Sequence, residues 1–108
     1  MVKKKPKIVI PALPKSQLKE AYDFIKFDSP KKAEKVKAKI LSAIKELADH
    51  PERYSQDKYR IRNDGSYRAF EIYKYSISYH VSLDQITIVR VLHTKREPKA
   101  YWENVLPF

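Results

Sequence analysis

The sequence has no cysteine, which excludes disulfides, thiol catalysis and every cysteine-based metal site. Its one glycine is Gly65, so neither a glycine-rich phosphate loop nor a dinucleotide fingerprint can be built, since each needs at least two. No apolar run approaches the roughly 20 residues of a membrane span. The start, MVKKKPK, has the charge of a signal peptide, but Ile8-Val9-Ile10 stops at Pro11 and Pro14, so no apolar signal core follows. The expectation is a soluble, cytoplasmic protein with no membrane partner. Acidic residues are also scarce: 13 Asp and Glu face 23 Lys and Arg, for a net charge of +10. Such a surface favours nucleic acid, a ribosome, an acidic protein partner or an anionic membrane surface.

What is present fits one compact domain. The 108 residues are 43% hydrophobic and 33% charged, the balance of a folded, soluble chain rather than a disordered one. We expect a single domain over 1–108, with residues 1–6 a flexible basic start. Four lysines fall in the first seven residues, yet the rest of the chain still carries +6. The basic character is therefore not confined to a tail.

Hydrophobic periodicity gives the element order. Lys7 to Ala12 holds a β-branched run suited to a short strand, and Pro11 makes it an edge strand or ends it. Leu18, Ala21, Tyr22 and Ile25 form one helical stripe, predicting a helix over about Pro14 to Asp28. Ser29-Pro30 pairs an N-cap with a first helical residue, so a second helix starts at once. Its stripe is Ala33, Val36, Ile40, Ile44 and Leu47, and it runs to about Asp49. Asn63-Asp64-Gly65 signals a turn. The period then falls to two, predicting strands at Ser66 to Tyr73, Tyr75 to Ser82 and Gln85 to His93, with tight antiparallel joints at Lys74 and Leu83-Asp84. The third of these is apolar on both parities, as a central strand is. The tail from Glu97 can hold a helical turn. The predicted class is α+β: an N-terminal helical hairpin on one face of a small, three- to four-stranded antiparallel sheet, in the order β-α-α-β-β-β. The second sheet face, carrying Ser76, Ser78 and His80, is expected to be solvated.

At this point the residues carry a resemblance. Ser29-Pro30-x-x-Ala33-x-x-Val36, then Leu47 to Pro51, then Gly65-Ser66-Tyr67-Arg68-Ala69-Phe70, then Ile88-Val89-Arg90-Val91-Leu92-His93-Thr94-Lys95-Arg96-Glu97-Pro98 resemble the RelE/ParE family of bacterial toxins. The resemblance spans about Ile8 to Trp102. It rests on the ordered set, since no single piece is highly specific. It implies the toxin of a type II toxin–antitoxin pair and a cognate antitoxin, usually acidic, that wraps the toxin. The net charge agrees with such a partner. It implies one of two targets. RelE-like members cut mRNA at the ribosome, and this is the reading placed first; ParE-like members poison DNA gyrase. A third reading is a non-catalytic member that binds only its antitoxin or nucleic acid.

Metal-free RNA cleavage requires a group to move the 2′-hydroxyl proton and fixed cations to stabilise the phosphorane. The catalytic candidates are His93 for proton transfer and Arg68 and Arg90 for charge, with Arg96 a further charge stabiliser. Arg68 matches the family's recurrent arginine, and His93 its histidine at the end of the last strand. Lys58, Arg60, Arg62, Arg96 and Tyr101 are candidates for RNA or target binding, with Trp102 able to stack. Each has a plainer role: an arginine covering aromatic neighbours, a histidine tied to backbone, aromatics closing the core. The lysines at 31, 32, 35, 37 and 39 read first as a solvated helix face. No metal site is expected from three scattered histidines, and no cofactor. Arg68 shares its parity with Phe70 and Ile72, which look like core. Either it lies beyond the edge of the helices or a bulge re-aims it.

Overall fold

The computed structural model describes residues 5–58, 60 and 62–95. Strand β1 is Lys7–Val9, helix α1 Ala12–Asp28, helix α2 Pro30–Glu46, and strands β2, β3 and β4 are Tyr67–Ile72, Tyr75–Val81 and Gln85–His93. The order matches the one read from periodicity. The tail beyond Lys95, with its expected helical turn, lies outside the described residues.

The helical hairpin turns on one residue. Ser29 is extended, at φ −152°. Its N–H closes α1 by donating to the Ile25 carbonyl at 2.8 Å, and its Oγ accepts from the Lys32 N–H at 3.2 Å to cap α2. Pro30 follows where a missing N–H costs nothing. Pro11 ends β1 and caps α1, so α1 starts two residues before the expected Pro14. The stripe Ala33, Val36, Ile40, Ile44 and Leu47 is buried throughout. From Val36 onward it meets Ile77, Tyr79, Ile86 and Ile88 of the sheet in one core.

The sheet order is β1-β4-β3-β2. β2, β3 and β4 are antiparallel, as expected. β1 lies at the edge but pairs parallel to β4, Ile8 opposite Ile86. That pairing is open to it because the whole hairpin and two strands separate β1 from β4 in the chain. β1 covers only three residues of β4. Beyond it, the Val91 N–H is satisfied by the Gln17 Oε1 of α1 at 2.9 Å, since a ladder donor left without a partner is costly.

Two local features set where side chains point. Ser78 faces Arg90 while Tyr79 faces Ile88, so Val89 is the extra residue of a β-bulge. The bulge switches parity: Ile86 and Ile88 precede it on the helix-covered face, Val91 and His93 follow it there. This is why β4 reads as apolar on both parities. The β2–β3 turn uses Tyr73 and Lys74, both left-handed at φ 50° and 68°, in place of the Asn-Gly pair that such two-residue turns prefer.

The second face is less open than expected. Ser76, Ser78 and Leu92 on it are buried. Ser76 stands between Glu71 and Leu92, and Ser78 between Ala69 and Arg90, in the cross-strand rows. Each small hydroxyl is thus flanked by a longer side chain.

Candidate functional site

Arg68 lies on the helix-covered face, in one row with Tyr79 and Ile88. Of the two possibilities for it, the first holds: it sits past the helices, and the bulge is in β4 rather than β2. Its Nη1 donates to the Tyr54 carbonyl at 2.6 Å and reaches the Glu52 carbonyl at 3.5 Å. Tyr79, fully buried, donates its hydroxyl to the Pro51 carbonyl at 2.9 Å. Burial pushes the Tyr79 hydroxyl up to about 12, against the opposing pull of Arg68. Tyr54 stacks on Phe70 at 4.5 Å and 22°, a contact worth about 1 kcal/mol beyond area burial. Two strand side chains and one ring pair therefore hold the segment after α2 onto the sheet.

His93 closes β4 opposite Tyr75, edge-on to its ring at 5.3 Å. Its Nδ1 accepts from the Lys95 N–H at 3.2 Å. By that geometry the neutral ring carries its proton on Nε2, which makes it a donor outward. Arg90 points to the other face, beside Ser78. The three catalytic candidates thus do not converge. Arg68 and His93 share a face, but their rows are four residues apart, about 13 Å along the strand, and two strands apart, about 10 Å across. Arg90 is separated from both by the sheet itself.

The binding candidates are closer together. Arg60 lays its guanidinium over the Tyr67 ring, 4.0 Å to the centroid, and Tyr67 contacts His80 at 4.6 Å. Arg62 is exposed and left-handed at φ 58°. Lys58 is exposed beside buried Asp57 and lines, with Glu71 and Ser76, a pocket of about 320 Å³. Arg96, Tyr101 and Trp102 lie outside the described residues. A larger open groove, about 1110 Å³, runs between the end of α2 and the β3–β4 turn. The Lys5–Asp49 ion pair at 2.6 Å sits at its side, and it contains none of the predicted site residues. Among the described residues, no three metal-ligating side chains gather, and no helix is long and apolar enough to cross a membrane.

Sequence reasoning missed Tyr79, Tyr54 and Tyr67. Tyr79 and Tyr67 were legible only as strand positions, because their partners, Pro51 and Arg60, come from an irregular segment with no period. Alternation with serines places His80 on a solvated face; its contact with Tyr67 depends on the strand register, which pairs the two.

Comparison with known proteins decides the family. Residues 11–98 match the family model for the ParE toxin of the type II toxin–antitoxin system parDE. The chain belongs to the ParE toxin family. It is thus the toxin of a toxin–antitoxin system, as the resemblance implied, and such a system supplies an antitoxin partner. Among solved structures, a chain of the chromosomal ParDE toxin–antitoxin system from P. aeruginosa superposes with a TM-score of 0.64. It is 20% identical, over 82% of this chain and 96% of that one, and shows that the two share a fold. No curated protein matches the sequence. In this ParE toxin, the Arg68 guanidinium serves the carbonyls of the 52–54 segment.

Proposed function

We propose that this ParE-family toxin inhibits growth by binding and poisoning DNA gyrase in the cytoplasm, without nuclease activity, and that an acidic antitoxin wraps it and keeps it silent. The observation that carries the reading is the dispersal of Arg68, His93 and Arg90. General acid–base cleavage of RNA requires proton-transfer group and cations within hydrogen-bond reach of one phosphate. Two of these residues lie at opposite ends of one face and the third on the other. Arg68 is spent on backbone carbonyls, and the His93 Nδ1 is taken by the Lys95 N–H. A protein target instead needs a stiff surface, which the tethered 51–54 segment and the sheet supply. The net charge of +10 favours an acidic antitoxin that folds on binding. No cofactor or metal is required for such an inhibitor.

The second reading is ribosome-dependent mRNA cleavage. It is favoured by the Arg60–Tyr67–His80 corner, since cations set beside aromatic rings suit RNA. Side-by-side assays separate the two. Purified toxin is added to gyrase with relaxed plasmid, and to a translation reaction whose message is mapped by primer extension. We expect supercoiling to fail and the message to stay intact. Ribosome-dependent cuts that vanish in Arg68→Ala or His93→Ala, with supercoiling unaffected, would overturn the proposal.

A further inference from the structure

The loop ahead of β2 carries two arginines, one on an aromatic ring and one on a backbone that costs energy to build. Arg60 rests on Tyr67, and its Nε is buried with no acceptor among the described residues. Arg62 adopts a left-handed backbone that side chains other than Gly, Asn or Asp seldom take. Neither takes part in the ion pairs seen among the described residues, which join Lys5 to Asp49, Lys19 to Asp23 and Arg53 to Glu46.

The frame is stiff. Asn63 Oδ1 accepts the N–H groups of Gly65 at 2.9 Å and Tyr67 at 3.2 Å. Asn63 Nδ2 donates to the Tyr67 carbonyl at 2.7 Å. The carboxylate of the same loop, Asp64, is exposed and accepts through its Oδ1 from both the N–H and the hydroxyl of Ser66. It makes no ion pair with either arginine among the described residues. Behind Arg60 stand two partly exposed rings, Tyr67 and His80, 4.6 Å apart.

We propose that Arg60 and Arg62, with Tyr67 and His80 behind them, form a phosphate-binding corner that takes the backbone of a single nucleic-acid strand. A guanidinium held over a phenol ring loses little freedom on forming a fork to a phosphate. A carboxylate would also satisfy that fork. A nucleotide offers a flat base as well, and the rings beside the guanidinium give it a stacking neighbour. An acidic peptide has no use for them. The corner is separate from the gyrase reading, which requires contact with a protein and no strand binding.

The test measures fluorescence anisotropy of labelled oligothymidylate and of its ribose counterpart, titrated with the full-length protein at several salt concentrations. Net charge alone makes a protein this basic bind weakly, so charge-matched controls decide. Arg60→Lys keeps the charge and removes the plane. Arg62→Asn removes one charge and suits the left-handed backbone. Lys31→Ala with Lys35→Ala removes two charges from α2. We expect Arg60→Lys to weaken binding several-fold, and Arg60→Ala with Arg62→Asn to weaken it about tenfold or more while lowering the salt slope by about 1.4, at about 0.7 for each phosphate contact on a single strand. The α2 pair should change it less than twofold. The RNA and DNA arms identify which strand is held. Equal losses in loop and α2 variants, unchanged binding in Arg60→Lys, or displacement by oligoglutamate as readily as by oligothymidylate would overturn the proposal.

Discussion

Arg68 and Tyr79 stand side by side across β2 and β3, and both donate to carbonyls of the same segment, Arg68 to Tyr54 at 2.6 Å and Tyr79 to Pro51 at 2.9 Å. The pair closes the exit of α2 onto the sheet. It explains why an arginine shares parity with Phe70 and Ile72 without entering the core. The side chain runs along the sheet to a place where unpaired carbonyls need donors. Removing either donor should therefore cost stability. Tyr79→Phe leaves a partly buried carbonyl without its donor, and we expect a loss of about 1–2 kcal/mol. Arg68→Ala should cost a similar amount. Because the two serve one segment, their effects should fail to add, with a coupling of at least about 0.5 kcal/mol in urea unfolding of the singles and the double. Simple additivity would mean that each holds the loop alone.

Tyr79 also makes stability depend on alkaline pH. Its folded value, about 12, lies above the ordinary 10.0, chiefly through burial. The folded state therefore keeps the proton longer than the unfolded chain does. The contribution is complete below pH 10 and is lost as pH rises from about 10 to about 12. Tyr75 adds to the same trend, since burial raises it too. Unfolding midpoints measured from pH 8 upward should fall in this window. Tyr79→Phe should flatten the fall.

Asp64 is the acid-side counterpart. The Ser66 hydroxyl, and then the Ser66 N–H, hold its carboxyl below the ordinary 3.8. A depressed carboxylate stabilises the fold above its unfolded value, and that contribution is lost as pH falls through the folded one. Ser66→Ala should move Asp64 back up toward 3.8 in an NMR titration of the carboxyl carbon. No movement would mean that the hydroxyl does not hold it.

The hairpin joint can be tested at Ser29. Its Oγ is the side-chain cap of α2, accepting from the Lys32 N–H. Ser29→Ala should lower stability by about 1 kcal/mol. Ser29→Asp should retain most of it, because a carboxylate caps the same N–H and suits the helix dipole.

His93 carries a structural prediction of its own. With Nδ1 accepting from the Lys95 N–H, the neutral ring should show the Nε2–H tautomer in long-range proton–nitrogen NMR spectra. The opposite tautomer would free Nε2 as a base and remove one support of the non-nucleolytic reading.

Much of this was legible because single residues enforced it. Ser29-Pro30 fixed the break between helices, and the stripe from Ala33 to Leu47 announced the buried side of α2. Pro11 marked an edge strand, and β4 was read from Gln85 to His93, as found. What stayed hidden depended on pairing across the chain. The parallel partner of β1, the extra residue Val89 and the left-handed Tyr73-Lys74 turn have no local signature. The burial of Ser76 and Ser78 depends on neighbours in adjacent strands. For the site, residue types were legible but their convergence was not. Sequence places Arg68 and His93 in strands, whereas only register shows that Arg68 and Arg90 leave opposite faces. Tyr67 and Tyr79 gain roles from partners in the irregular 51–60 segment, which no periodicity describes.

The most direct test of the account is supercoiling of relaxed plasmid by purified gyrase as toxin is titrated in. The account predicts that supercoiling stops as toxin is added and that preincubation with the cognate antitoxin restores it. Undiminished supercoiling at every toxin concentration would contradict it.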